Sequence, residues 1–333
     1  MELTIKSFNE LYGRMDIMIC LGIESTAHTL GIGVMDGKKI TANERKMFFE
    51  NGIHPRKTAD HHAKIFDEVL DAALNKANTR LQDIDRVAFS QGPGIGPCLR
   101  VSAIGARTIG LLFKKPIYGV NHCVAHIEIS KFMTKLADPL IVYVSGGNTQ
   151  IIVKEGNRYS VIGETLDIGL GNMLDNFARE IGVNGAREIE MLASKGKEYV
   201  LLPYTVKGMD MSFTGLLTDA VKRVNKVSKE DLCHSLQETA YSMVCEASER
   251  ALALTKKKSV IVCGGVAQNK RLQEMLKIMA ADWGCKFGVA ANEFNADNGA
   301  MIAYTASIMK KTKRLPVGKC MPIQKYRTDQ FVF

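Results

Sequence analysis

The chain has 333 residues, 46% hydrophobic and 24% charged, which is enough to bury one large core or two smaller ones. Its net charge of +9 admits a polyanionic partner, and no apolar run approaches the roughly 20 residues needed to span a bilayer. The eight cysteines (20, 98, 123, 233, 245, 263, 285 and 320) never form Cys-x-x-Cys, which argues against a zinc ribbon or a disulfide framework and fits a reducing cytosol.

Residues 1–17 carry both signs of charge and no signal-peptide apolar stretch, so they are expected as a peripheral extension, with Met18 opening the domain. Residues 18–24 form an apolar run ending on Glu24, the pattern of a buried strand. Strands are expected at 29–35 and 39–46, joined through Asp36-Gly37. A helix follows at 58–78, with Ile65, Val69, Ala72 and Ala73 on one face. Next come a strand at 86–90, a rigid turn at 92–97, a helix at 99–113, a strand at 117–119 and a helix at 120–133.

That last helix carries His122 and His126, one turn apart, so both imidazoles leave the same face and can reach one metal ion. By itself the pair reads equally well as an ordinary helix face. Cys123 follows His122, so the glutamate of the His-Glu-x-x-His peptidase motif is absent.

After Asp138-Pro139 the pattern restarts. Strands are expected at 140–145, 150–154 and 159–165, then helices at 172–181, 186–195, 213–224 and 228–254. A strand at 259–263, a helix at 268–280, a strand at 286–289 and a helix at 296–309 complete the chain. The expected division is therefore an extension, 1–17, a first half, 18–138, and a second half, 139–333, with a helical insertion. Two α/β halves that each open with three strands resemble the actin, hexokinase and heat-shock ATPase architecture, in which nucleotide lies in a cleft between the halves. A plain doubly wound sheet is the alternative.

No phosphate-binding P-loop or dinucleotide fingerprint is present. Instead Gly146-Gly147 and Gly264-Gly265 each follow an apolar strand, where exposed backbone amides suit a phosphate or a carbonyl. The second pair leads toward helix 268–280, whose N-terminus favours an anion. Either pair also reads as a simple strand-ending turn. Asp297, in the segment 295–300 that begins the last helix, is a suitable first-turn carboxylate in its own right. If the fold brings that helix to the histidines, two imidazoles and a carboxylate suit iron, or zinc with an open position. The basic clusters Lys222-Arg223, Lys256-Lys257-Lys258 and 310–314 read as solvated helix ends or as a surface for a polyanion.

Several segments recur in order: Gly22 through Thr29, Gly92 through Arg100, Asn121 through His126, Tyr143 through Gln150, Asp297 through Met301, and Arg327-Thr328-Asp329. Together they resemble the universal tRNA threonylcarbamoyladenosine transferase family over about residues 18–333. Thr26-Ala27-His28-Thr29 and Tyr143-Val144-Ser145-Gly146-Gly147-Asn148 look like its archaeal and eukaryotic cytosolic branch, a subunit of the KEOPS complex, and imply an archaeal source. The resemblance implies transfer of threonylcarbamoyl from threonylcarbamoyl-AMP to the exocyclic amine of the adenosine just 3′ of the anticodon. It implies one iron or zinc ion held by His122, His126, Asp297 and Tyr143. It also implies an adenine nucleotide (threonylcarbamoyl-AMP, ATP or AMP) held by Tyr143, Val144, Ser145, Gly146, Gly147, Asp175, Glu190 and Asn269, with Gly264 and Gly265 beside it.

Glu24 and Ala186 are further candidates. Ala186 stands where the family has a glycine approaching the nucleotide, within Val183-Asn184-Gly185-Ala186-Arg187, a departure from the family's Phe-Pro-Gly-Gly-Pro. The implied partners are tRNA, a small kinase-like ATPase and a small dimerising subunit, in the cytoplasm and away from membranes. An activated mixed anhydride needs no strong protein nucleophile, in keeping with the lack of any recognisable triad. Competing readings are an ATP-binding scaffold that depends on a kinase-like partner, and a metal-dependent peptidase.

Overall fold

The computed structural model describes residues 18–48, 50 and 54–333, so the expected extension, 1–17, lies outside the described residues. The first sheet opens with three antiparallel strands, β1 (Ile19–Glu24), β2 (Thr29–Asp36) and β3 (Lys39–Met47). The helix α1 (Pro55–Ala77) leads to β4 (Arg86–Gly92), then come α2 (Gly96–Leu112), β5 (Ile117–Asn121) and α3 (His122–Thr134). β4 pairs in parallel with β1, and β5 with β4, giving the order β3-β2-β1-β4-β5. β1 and β4 are central and covered on both sides, which is why they are almost continuously apolar. Both α1 and α2 begin three residues before their predicted starts, because Pro55 and Pro97 sit in the first turn, where a missing N–H costs nothing.

The second sheet repeats this plan. β6 (Leu140–Val144), β7 (Thr149–Glu155) and β8 (Arg158–Glu164) are antiparallel. Helices α4 (Leu170–Glu180) and α5 (Ala186–Ala193) follow, then a hairpin of β9 (Val206–Lys207) and β10 (Asp210–Met211), too short for any sequence period to announce. Next are α6 (Thr214–Lys222), α7 (Lys229–Thr255), β11 (Ser259–Cys263), α8 (Lys270–Asp282), β12 (Lys286–Val289), the one-turn α9 (Asn292–Asn295) and α10 (Gly299–Ile308). β11 pairs in parallel with β6 and β12 with β11, giving β12-β11-β6-β7-β8. Three antiparallel strands followed by two parallel ones thus occur twice, as the two runs of three strands predicted.

The division of the chain departs from the expected one. One compact unit is Ser130–Ala296, and the other joins the described residues before Ser130 to Asp297–Phe333, so the C-terminal segment belongs with the first sheet and not with the second half. The physical reason lies in glycines. A Cβ on Gly33 would stand 2.2 Å from Ala300 N, and one on Gly299 would stand 2.1 Å from Gly33 N. Only bare backbone lets α10 seat this closely on β1 and β2. Beyond α10, Leu315 N donates to Ile117 O (2.7 Å) and Ile323 N to Gln91 O (2.6 Å), tying the tail to the same sheet. Each unit has its own core: Leu21, Ile23, Ile32, Val87 and Phe89 in one, Val142, Ile151, Phe177, Leu236 and Val262 in the other. No described helix is long and apolar enough to cross a membrane.

The start of α7 offers a test of acid sensitivity. Ser228 caps the helix, and Asp231 Oδ1 accepts from Lys197 N (2.7 Å) and Glu198 N (2.9 Å). The Glu198 N–H, the Ser228 hydroxyl and the Lys197 N–H hold the carboxyl down to about 2. A folded-state value below the unfolded one, about 4, means a contribution present at neutral pH and lost as pH falls from about 4 through 2. Asp231→Asn is expected to lower Tm at pH 7, with the gap to wild type closing near pH 2 in thermal scans across that range. A gap that did not depend on pH would contradict the assignment.

Candidate functional site

β5 ends at Asn121, whose Oδ1 accepts from Val124 N (3.1 Å) and so caps α3. The helix therefore begins at His122 itself, not at the predicted residue 120, and His126 lies one turn on. Both rings are buried, edge to face with centroids 4.7 Å apart. α10 likewise starts later than expected. Asn298 is its cap, accepting from Met301 N (2.9 Å), so Asp297 precedes the helix and is not in its first turn. Freed from the helix, Asp297 turns Oδ1 toward both imidazoles, 3.2 Å from His126 Nε2 and 3.5 Å from His122 Nε2. One ligand atom from each of His122, His126 and Asp297 lies within 4.8 Å of the others.

Glu24, fully buried at the end of β1, completes the arrangement. Its Oε2 accepts from His122 Nδ1 (3.0 Å) and its Oε1 from Thr26 N (2.6 Å). With Nδ1 carrying the proton, the His122 Nε2 lone pair faces the cluster, the carboxylate–histidine relay typical of metal ligands. The charges agree. Burial opposes protonation of His122, but Glu24 and Asp297 outweigh it and lift the ring to about 9. Burial and the neighbouring His122 keep His126 below its ordinary value despite its bond to Asp297. Burial also opposes ionisation of Asp297, yet the two histidines hold it well below the usual carboxylate range. Two imidazole nitrogens and one carboxylate oxygen converging from a buried wall fit a divalent transition metal, whose charge would replace the proton on His122.

The nucleotide candidates fall in the second unit. Ala186, Glu190, Gly265 and Asn269 line a cavity of about 470 Å³ together with Arg187 and Tyr241. Glu190 Oε1 accepts from Lys270 N (2.7 Å). The second glycine pair does not feed a helix directly: a short 3-10 turn, Gly265–Gln268, intervenes and Asn269 caps α8 through Leu272 N (3.0 Å). Gly264 has φ +97, and its Cβ would stand 2.4 Å from Val144 O, so only glycine lets β11 end there. Tyr143, Val144, Ser145, Gly146 and Gly147 lie outside the cavity's lining, as does Asp175, which is exposed opposite Gly185. The first glycine turn instead places the carbonyls of Ser145 and Gly146 on the amides of Gly171 (3.1 Å) and Asn172 (3.0 Å), at the start of α4.

Nothing in the sequence singles out Tyr241, since one aromatic on the buried face of a long helix carries no signal. It is fully buried, and its hydroxyl has no hydrogen-bond partner among the described residues. Burial, with Glu190 and Glu238 nearby, pushes its pKa up, so it stays a neutral phenol. An unmet buried hydroxyl costs about 1–3 kcal/mol. Tyr241→Phe is therefore expected to leave the urea midpoint unchanged or to raise it. A loss of stability would show that the hydroxyl is bonded in solution.

Residues 38–304 match the family model described as tRNA N6-adenosine threonylcarbamoyltransferase. The chain is 52% identical over 320 residues to the protein of that name from Thermococcus kodakarensis, covering 94% of this chain and 98% of that one. It is 50% identical over 320 residues to a probable bifunctional tRNA threonylcarbamoyladenosine biosynthesis protein of Methanocaldococcus jannaschii, covering 94% of this chain and 59% of that one. Among solved structures, T. kodakarensis HypF aligns with a TM-score of 0.64 at 13% identity, over 87% of this chain and 47% of that one, a likeness of fold alone. The doubled α/β plan is that of the actin, hexokinase and heat-shock ATPase class, as expected. With a family model spanning most of its length and relatives at about half identity, the chain belongs to the tRNA N6-adenosine threonylcarbamoyltransferase family.

Proposed function

We propose that the chain transfers a threonylcarbamoyl group from threonylcarbamoyl-AMP to the exocyclic amine of the adenosine just 3′ of the anticodon. The observation that carries this reading is the convergence of His122, His126 and Asp297 in a chain of this family. These three residues would hold one iron or zinc ion, which when bound supplies a Lewis acid for the donor's carbonyl. Tyr143, which the resemblance adds as a ligand, belongs to the second unit, and its ligation is part of the proposal. With iron loaded, Tyr143→Phe is expected to abolish a phenolate-to-iron absorption band.

The chain's own residues do the remaining work. Glu24 fixes the tautomer of His122, so the cluster is preorganised. The nucleotide would occupy the cavity of Ala186, Glu190, Gly265 and Asn269. Glu190 Oε1 is taken by the Lys270 amide, leaving Oε2 for a ribose hydroxyl. Asn269 Oδ1 caps α8 and Nδ2 donates one hydrogen to Gln237 Oε1 (3.1 Å), leaving a single amide hydrogen for the ligand. The donor is already activated, so the protein's task is placement. The amine's lone pair forms the new C–N bond, the acyl–phosphate C–O bond breaks, and AMP leaves with the bonding pair and accepts the amine's proton on its phosphate.

The same reading includes a small kinase-like ATPase and a small dimerising subunit of the KEOPS complex as partners, in the cytoplasm. Purified protein, labelled threonine, bicarbonate, ATP, the adenylate-forming enzyme and tRNA form the test. Label on tRNA is the expected result. Peptide cleavage without tRNA, or no label even with the partner subunits added, would overturn it.

A further inference from the structure

At the opposite end of the first sheet from His122 lies an open groove of about 820 Å³, lined by Met18, Asp85, Arg86, Pro116, Tyr118, Lys311, Thr312 and Arg314. Arg86 opens β4 and is 6% exposed. Its Nη1 donates to Ala306 O (2.7 Å) and Met309 O (2.9 Å), closing the end of α10, and its guanidinium lies 4.7 Å over the Tyr118 ring. These contacts account for its position but for only part of its donor capacity. Nε and Nη2 make no hydrogen bond among the described residues, and no carboxylate pairs with the charge. A buried, unneutralised guanidinium is costly unless an anion completes it.

The surroundings supply more of the same sign. Lys311 and Arg314 are exposed and unpaired among the described residues, and Asp85, bound to Ile19 N (2.8 Å), is the lone carboxylate of the lining. The basic segment does not swing freely, because Leu315 N is bonded to Ile117 O (2.7 Å). Three cations, one of them a planar guanidinium with two unused N–H edges, and a hydroxyl at Thr312 match the oxygens of a phosphate. Tyr118 lies on β5 and His122 opens α3, and none of His122, His126 and Asp297 lines the groove, so a ligand here is distinct from the His122–His126–Asp297 cluster.

We propose that this groove binds phosphate, presented by the sugar-phosphate backbone of the tRNA substrate. The phosphate chemistry stands on the groove alone; the choice of RNA as its bearer rests on the transferase reading above. Lys311→Ala/Arg314→Ala removes two exposed charges and no structural contact, so the variant is expected to fold normally. For tRNA, the slope of log K against log salt is expected to shrink by about 2 in magnitude. The KM for tRNA is expected to rise roughly tenfold with kcat unchanged, and Lys311→Arg/Arg314→Lys to restore both. Tripolyphosphate is expected to raise the Tm of the wild type and not of the double alanine variant. Loss of the tripolyphosphate effect with an unchanged tRNA slope would keep the anion site and overturn its RNA occupant. Wild-type behaviour of the double alanine variant in both assays would overturn the site. A wild-type chain without transfer activity would defeat the transferase reading while leaving the tripolyphosphate arm to decide the groove.

Discussion

His126→Ala is expected to remove bound metal and lower the rate of threonylcarbamoyl transfer by about two to three orders of magnitude. The side chain is 1% exposed, and its Nε2 lies 3.2 Å from Asp297 Oδ1, so nothing nearby can take its place. A Lewis acid at a carbonyl is worth several kcal/mol of transition-state stabilisation, and each 1.4 kcal/mol is a factor of ten. Removing the imidazole also takes away the hydrogen bond between His126 and Asp297, so stability should fall by roughly 1–3 kcal/mol. Two readouts keep these effects apart. Metal content after gel filtration reports the ligand, and the Tm increment on adding metal reports linkage between binding and folding. Both are expected to vanish in His126→Ala. Glu24→Gln, which keeps a partner for His122 but weakens it, is expected to lose about 10–100-fold in metal affinity and to remain partly active. If His126→Ala retained stoichiometric metal and full transfer, the site would lie elsewhere.

Gly33→Ala is expected to be a severely damaging single methyl in the first unit. Its Cβ would meet Ala300 N at 2.2 Å and the Gly299 carbonyl carbon at 2.4 Å, both backbone atoms that no rotamer change can move. Overpacking costs typically about 1–3 kcal/mol, and a backbone-to-backbone clash belongs at the upper end, near 3 kcal/mol or a Tm drop of roughly 10 °C. The functional cost follows from the same contact. α10 begins two residues after Asp297, so any lift of the helix withdraws the carboxylate from His122 and His126. Metal affinity is therefore expected to fall together with stability, although residue 33 touches no ligand. Gly215→Ala supplies the contrast: a Cβ there meets nothing within 4 Å, and in α6 it should add up to about 1 kcal/mol. Equal effects of the two substitutions would show that the crossing of α10 over the sheet is more yielding than its distances imply.

The histidine pair was legible because helical periodicity is a local property: His122 and His126 face one way in any helix that contains both. The three-strand openings were legible for the same reason, through apolar runs and Asp36-Gly37. The start of α10 was not. Asp297 and Asn298 are both good helix-starting residues, and only the bond from Met301 N to Asn298 shows which of them caps and which is free to face the histidines. Asp297 thus stands two residues before the first helical residue and outside the first turn.

The amino-acid sequence alone determined the identities of the donors and the doubled α/β plan, since both rest on patterns within a few residues. Tertiary structure decided which donors meet. Asp297 reaches His126 across 171 residues of chain, and Glu24 reaches His122 across 98, through a sheet on which the bare backbone of Gly22, Gly31 and Gly33 lets α10 settle. No local period encodes such a contact, because a glycine's place in a helix–sheet crossing depends on what packs against it.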